Sequence, residues 1–215
     1  MFAPELPLAH LRFAVVDVET TGTAPDVGDR ITEIAIVPVD RGQVGAPFVR
    51  LVDPERPIPP FITALTGISS AMVRGQPPFR HIADEVADRL AGRVFVAHNA
   101  SFDWRFVSGE LRRAHGAAAP PLSLDHRLCT VRLARALLPE LPRRSLDQVT
   151  AHLGIPLSDR HRAAGDAVAT AHALVAMLRR AEAAGLSHWG ALVRYLATPA
   201  RRRRARLSPL VDPLA

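Results

Sequence analysis

Two carboxylates stand two residues apart at the end of an apolar run. In FAVVDVETTG (13–22), Asp17 and Glu19 follow a segment whose β-branched and aromatic content is that of a buried strand. Strand side chains alternate, so the two acids point to the same side. Crowded carboxylates repel each other and resist leaving water, and a cation held between them offsets both costs. A solvated strand end is the alternative for such a pair taken alone. Asp103 closes His98-Asn99-Ala100-Ser101-Phe102-Asp103, at the point where an apolar stretch passes into a helical one. A helix dipole also favours an acid in that first turn. Asp166 closes His161-Arg162-Ala163-Ala164-Gly165-Asp166. A spacing of five puts two side chains about 140° apart on an ideal helix, so His161 belongs to the preceding loop and Asp166 to the first turns of the helix. Gly165 costs roughly 1 kcal/mol relative to Ala in a helix, which is explained if something approaches the backbone closely there. His98 and Asn99 read as residues that satisfy their turn. The acids, if gathered, are hard oxygen ligands for a divalent cation such as Mg²⁺ or Mn²⁺.

The elements that must position these groups follow from patterning. Phe13–Glu19 is the first strand, Ile31–Val39 the second, and Gln43–Val52, across the turn Asp40-Arg41-Gly42, the third. Short connections make these an antiparallel meander. Phe61–Leu65 and Ser69–Val73 are short helical pieces. Helix–strand alternation follows: an amphipathic helix through Phe79, Ile82, Val86 and Leu90, a fourth strand at Arg93–His98, a helix from Asn99, and a short fifth strand near Leu122–Leu124. Arg127–Leu138 reads as helical, Ser145 caps a helix ended by Gly154, and a long helix runs from about Ala163 to Ala183. Trp189–Leu196 is a last short helix. The expectation is an α/β fold with a mixed five-stranded sheet, three antiparallel strands and then parallel βα units, with helices on both faces.

With 215 residues, 48% hydrophobic and 22% charged, the chain is long enough to bury a full core. Aromatic residues make up only 5%, so that core rests on Ala, Val, Leu and Ile. All 27 basic residues are Arg, and the net charge of +6 favours an anionic partner, nucleic acid being the commonest. A single Cys129 excludes an internal disulfide and a thiolate metal site. MFAPELPLAH has neither a basic start nor a long apolar core, so no signal peptide is expected, and no apolar run approaches the ~20 residues of a membrane span. A cytoplasmic setting without membrane contact is the expectation. Residues 1–198 read as one unit, and 199–215 as an Arg/Pro-rich tail whose cluster Arg201–Arg204 with Arg206 tracks a phosphate backbone or forms a solvated face.

The order D-x-E-T-T-G, H-N-A-x-F-D, H-x-x-x-x-D-A resembles the DEDDh 3′→5′ exonuclease superfamily, whose members include the proofreading epsilon subunit of bacterial replicative DNA polymerase and ribonuclease T. The resemblance runs from about Arg12 to Leu178 and includes LTGIS (65–69), LCTVRLARALLP (128–139) and SLDQVTAHLGIP (145–156). It implies a ribonuclease H-like fold and hydrolysis of the last phosphodiester at a 3′ end with two divalent cations, releasing nucleoside 5′-monophosphates. By the same resemblance, Asp17 bridges both ions, Glu19 and Asp166 complete one site, and Asp103 supports the other. The resemblance also implies that His161 is the general base, a role suited to an imidazole, which exchanges a proton near neutrality. Thr20 and Thr21 are expected to bind the terminal sugar or phosphate, and Leu65 or Phe102 to wedge against the last bases, with a core position as the alternative for Phe102. Single-stranded or frayed DNA 3′ ends are the favoured substrate, RNA 3′ ends the alternative with the same mechanism, and a catalytically idle module the third reading. A DNA polymerase assembly is a possible partner, and both monomer and homodimer remain open.

Overall fold

Strand β1 (Arg12–Thr20) lies at the middle of the sheet. Phe13 and Val15 face one core while Ala14, Val16 and Val18 face the other. A strand covered on both faces is apolar throughout, which explains its unbroken hydrophobic run. The structure is a computed structural model and describes residues 2–116 and 127–198. β2 (Ile31–Asp40) pairs antiparallel with β1 along its length, and the register places Glu19 opposite Glu33. β3 (Gln43–Val44) and β4 (Phe48–Leu51) both pair antiparallel with β2. On the other side, β5 (Val94–Ala97) and then β6 (Arg127–Cys129) add in parallel, giving the order β3-β2-β1-β5-β6 with β4 also on β2.

The mixed sheet is therefore as expected, with two corrections. Among the described residues it has six strands where five were expected: the third strand expected over Gln43–Val52 is broken into β3 and β4. The break falls at Gly45-Ala46-Pro47, where Gly45 donates its N–H to Pro38 O (2.8 Å) and Pro47 has no N–H for a ladder. The segment at Arg127 begins as strand instead of helix, because residues 127–129 complete the parallel ladder with Phe95–Ala97 before the chain turns into α5 (Thr130–Leu137). The strand expected near Leu122–Leu124 lies outside the described residues, as does the tail 199–215.

Helices cover both faces. α3 (Phe79–Leu90) and α4 (Ala100–His115) pack on one side around Phe79, Val86, Phe106 and Leu111. On the other side, α5, α7 (Ala163–Ala183) and α8 (Trp189–Ala197) pack around Leu133, Leu174, Met177 and Leu192. α6 (Leu146–Leu153) lies against α7; Ser145 caps it by accepting the Gln148 N–H (3.4 Å), and Gly154 ends it in a left-handed conformation. α1 (Pro60–Thr66) and α2 (Ser70–Val73) bury Ile58, Ile62, Ile68 and Val73 in a small cluster of their own beside Leu51. Among the described residues, no helix is long and apolar enough to cross a membrane. Cys129 is half-buried and free.

Gly165, in the first turn of α7, has the close neighbour its sequence position called for. A Cβ there would collide with the Ser158 carbonyl oxygen and lie 2.8 Å from that of Asp159. The loop before α7 is thus seated directly on the start of the helix. Gly165→Ala is expected to cost about 1–3 kcal/mol, as overpacking usually does, lowering the melting temperature by roughly 2–10 °C; an unchanged thermal transition would show that the loop moves aside freely.

Candidate active site

Three pieces of chain meet at the end of β1. Positions 13, 15, 17 and 19 share one side of the strand, so Asp17 and Glu19 extend the line of Phe13 and Val15 toward the face covered by α7. Asp166, in the first turn of α7, arrives from above: carboxylate oxygens of Asp17, Glu19 and Asp166 all lie within 4.8 Å of one another. Asp103 comes from α4 on the opposite face, buried, and its Oδ1 accepts the Val18 N–H (3.2 Å) between the two strand acids. All four acids read from the sequence are therefore gathered.

Their electrostatics record burial, with crowding added at Asp17 and Glu19. Asp17 is held well above the ordinary carboxylate range by burial first, then by the charges of Asp103, Glu19 and Asp166. Glu19 is pushed up to about 8 by burial and by Asp166, Glu33 and Asp103. Burial raises Asp103 to about 7 against the pull of backbone hydrogen bonds, including the one from Val18. Asp166 is raised by burial, although the Arg160 guanidinium opposes the shift. Its Oδ1 is buried and has no hydrogen-bond partner among the described residues. A set of hard oxygens in close reach, one of them unpaired, fits a divalent cation.

His161 sits on the loop before α7, half-buried, with a left-handed backbone (φ 61°), and its N–H reaches Asp166 Oδ2 (3.3 Å). Asp159 is left-handed too (φ 50°), a costly geometry for non-glycine residues that clusters at functional loops. His98, by contrast, is committed structurally. Its Nδ1 bonds Thr130 Oγ1 and its Nε2 bonds the Arg144 carbonyl (both 2.9 Å), and burial lowers its pKa. Asn99 supplies the left-handed residue (φ 77°) that turns β5 into α4.

The residues expected to touch substrate divide. Thr21 is engaged within its loop: its N–H donates to Arg30 O (2.9 Å), and its hydroxyl donates to Asp29 Oδ1 (3.0 Å) while accepting the Arg30 N–H (3.1 Å). Thr20 donates its hydroxyl to Gly22 O (2.5 Å). Both hydroxyls thus shape the turn, because a loop leaving a strand beside four acids needs its own polar groups satisfied. Leu65 is 53% exposed on α1, and Phe61, one turn earlier, is 68% exposed. Phe102 is half-buried with its ring 5.0 Å from that of Phe106, which continues the core.

Three participants were not read from the sequence. Arg160 bridges Asp147 of α6 (Nε–Oδ1 2.8 Å, Nη2–Oδ2 3.2 Å) to Asp166 of α7 (Nη1–Oδ2 2.5 Å). Glu33, 1% exposed, grips the start of α7: it accepts the Ala163 N–H (2.8 Å) and two bonds from Arg162 (3.1 and 2.5 Å). Phe61 makes the exposed apolar face of α1 broader than Leu65 alone. Only Phe61 carried a local signal, its i, i+4 spacing to Leu65.

A sheet of this order with carboxylates converging at the end of its central strand defines a carboxylate-centred α/β domain. Residues 14–174 match a family model, RNase_T, described as an exonuclease. The 3'-5' exonuclease DinG of Bacillus subtilis (strain 168) is 42% identical over 159 residues, covering 74% of this chain and 17% of that protein. A DNA polymerase III subunit epsilon-like protein of Rhodobacter capsulatus is 39% identical over 194 residues, covering 88% of this chain and 27% of its own length. Exonuclease X, solved in complex with 5' overhanging duplex DNA, superposes with a TM-score of 0.62 at 30% identity, over 80% of this chain and 93% of that one. The chain belongs to the exonuclease family, with the DEDDh-type motif order and the ribonuclease H-like fold that its sequence resembles. It spans well under a third of the length of those two curated relatives.

The raised carboxylates make metal-free stability pH-dependent. Below the ordinary value of 4.5 for Glu19, both folded and unfolded chains are protonated; above it, the unfolded chain loses the proton while the folded one keeps it to about 8. The folded state then binds more protons, so stability falls as pH rises through that window, by on the order of a few kcal/mol. In EDTA the melting temperature should decline from pH 5 to pH 8, and millimolar Mn²⁺ at pH 8 should restore it. Asp17→Asn should be more stable than wild type in EDTA at pH 8 and gain little from Mn²⁺; equal Mn²⁺ stabilisation of both proteins would contradict the assignment.

Proposed function

We propose that this chain is a metal-dependent 3′→5′ exonuclease that removes nucleoside 5′-monophosphates from single-stranded or frayed DNA ends. What carries the reading is the convergence of Asp17, Glu19 and Asp166, with one Asp166 oxygen unpaired, in a chain of the exonuclease family. The names of its relatives, a polymerase epsilon-like protein and an exonuclease solved on DNA, support DNA as the substrate and a polymerase assembly as a partner.

In this reading Asp17, Glu19 and Asp166 hold the metal, with Asp103 supporting from the α4 side. A pair of Mg²⁺ or Mn²⁺ ions, when bound, would supply the positive charge that lets an acidic site accept a phosphate and that activates water and stabilises the leaving oxygen. The protein's own contribution is placement. β1 presents two acids from the sheet, α4 presents the third and α7 the fourth. His161, on the loop beside Asp166, is the general base that takes the proton from the attacking water. Leu65 and Phe61, on α1, offer an apolar surface on which unpaired bases can stack without sequence preference. Residues 1–198 form the catalytic unit in this reading, and the Arg-rich stretch 201–206 is a sequence-independent electrostatic aid. A chain of this kind works in the cytoplasm.

A 3′-labelled DNA oligonucleotide should lose its terminal nucleotide with Mg²⁺ or Mn²⁺ and stay intact in EDTA; a 5′-labelled one should shorten stepwise. Release of labelled nucleotide from the 5′ end instead would reverse the polarity, and faster digestion of matched RNA would make the chain an exoribonuclease. Asp17→Asn should remain folded and lose activity. His161→Ala should lower kcat by about 10²–10⁴-fold while calorimetry still detects Mn²⁺ binding; an unaltered rate would remove it as the base.

A further inference from the structure

Arg160 is the one cation, among the described residues, that forms an ion pair with a member of the carboxylate cluster. Resting on the exonuclease reading, we propose that Arg160 is a phosphate-binding residue of this site: Asp147 aims its guanidinium at the cluster, and Asp166 holds it there until cation and substrate arrive.

The geometry divides the guanidinium into two edges. Nε and Nη2 are taken by the two oxygens of Asp147, in the first turn of α6. This paired contact fixes the plane of the group from behind. The remaining donor, Nη1, lies 2.5 Å from Asp166 Oδ2, the acid it shares with the cluster. Asp147 is largely exposed while Asp166 is only 6% exposed, so the arginine reaches inward from a surface anchor. Its charge is felt across the site: it opposes the raised pKa of Asp17, Glu19 and Asp166 alike. Arg162, two residues later, gives Nε and Nη2 to buried Glu33 and, among the described residues, forms no ion pair with any of the four cluster acids.

Asp166 meets the guanidinium through Oδ2, and its buried Oδ1 is the oxygen left for a divalent cation. A cation on Oδ1 would draw negative charge away from Oδ2 and weaken its hold on Nη1, leaving that nitrogen, on a guanidinium still held by Asp147, to face the place an anion must enter. A phosphate oxygen is a matching acceptor for that donor, and the planar fork suits it better than an ammonium would. One residue thereby neutralises the cluster before loading and contacts substrate after it.

The test is calorimetry of Mn²⁺ alone, and of thymidine 5′-monophosphate in saturating Mn²⁺, a ligand that is not turned over. Arg160→Gln should bind Mn²⁺ several-fold more tightly, because its competitor for Asp166 is gone. It should bind the nucleotide roughly tenfold more weakly, the worth of one charge-assisted hydrogen bond. Arg160→Lys should recover only part of the nucleotide affinity. Asp147→Asn, which keeps the arginine but frees its back edge, should also weaken nucleotide binding. If Arg160 merely ties α6 to α7, both Arg160→Gln and Asp147→Asn would melt earlier with unchanged Mn²⁺ and nucleotide affinities, and the proposal fails. Tighter Mn²⁺ binding with unaltered nucleotide affinity would also overturn the phosphate role. Wild-type protein that binds Mn²⁺ and the nucleotide but releases nothing from a labelled oligonucleotide would defeat the nuclease reading and leave this assignment standing.

Discussion

Like charges held close together in a poorly solvated place set the terms for the rest of this structure. Asp17, Glu19, Asp103 and Asp166 would separate in an unfolded chain, where water screens each of them. The fold holds them together out of water, and burial raises the pKa of all four, with repulsion between neighbours adding to it at Asp17 and Glu19. That resistance comes from apolar packing on both faces of β1: two clusters of Val, Ile, Leu and Phe side chains run up to the strand's acidic end. No single hydrogen bond could hold such a cluster; burial of a central strand between two helical layers can.

The supporting contacts follow a common logic, in which each acid is approached from an element whose position is fixed for another reason. Asp103 is carried by α4, whose Phe106, Val107 and Leu111 belong to one core. Asp166 is carried by α7, whose first residue is tied to β2 by Glu33. Glu33 is itself a buried acid directly across the ladder from Glu19, yet it is answered within the protein by Arg162 and a helix N–H, a favourable place for negative charge. Five acids therefore crowd this edge of the sheet, and one of them is spent on anchoring the helix that carries another.

What could be read in the sequence was whatever depends on neighbours along the chain. Strand alternation put Asp17 and Glu19 on one side; helix starts located Asp103 and Asp166; an awkward glycine at 165 announced a close backbone approach, which the Ser158 and Asp159 carbonyls supply. The break at Gly45–Pro47 was visible as residues but not as a break, because the flanking apolar positions suit one long strand as well as two short ones. β6 was missed because three residues carry too little pattern to separate a strand from the helix that follows it. Glu33 with Arg162 joins positions 129 apart, and no local period encodes such a pair. Arg160 was invisible for a compositional reason: with every basic residue an arginine, one more beside His161 gave no contrast.

Arg162 is clamped to the sheet, and His161 precedes it by one residue. Consecutive Cα atoms across a trans peptide are about 3.8 Å apart, so with the clamp in place the imidazole rides a short crank whose axle does not travel. Any rearrangement of the loop before α7 turns the histidine about that axle without carrying it away from the helix start. The distance from imidazole to cluster is thus buffered against motion upstream, while its direction is left free to adjust.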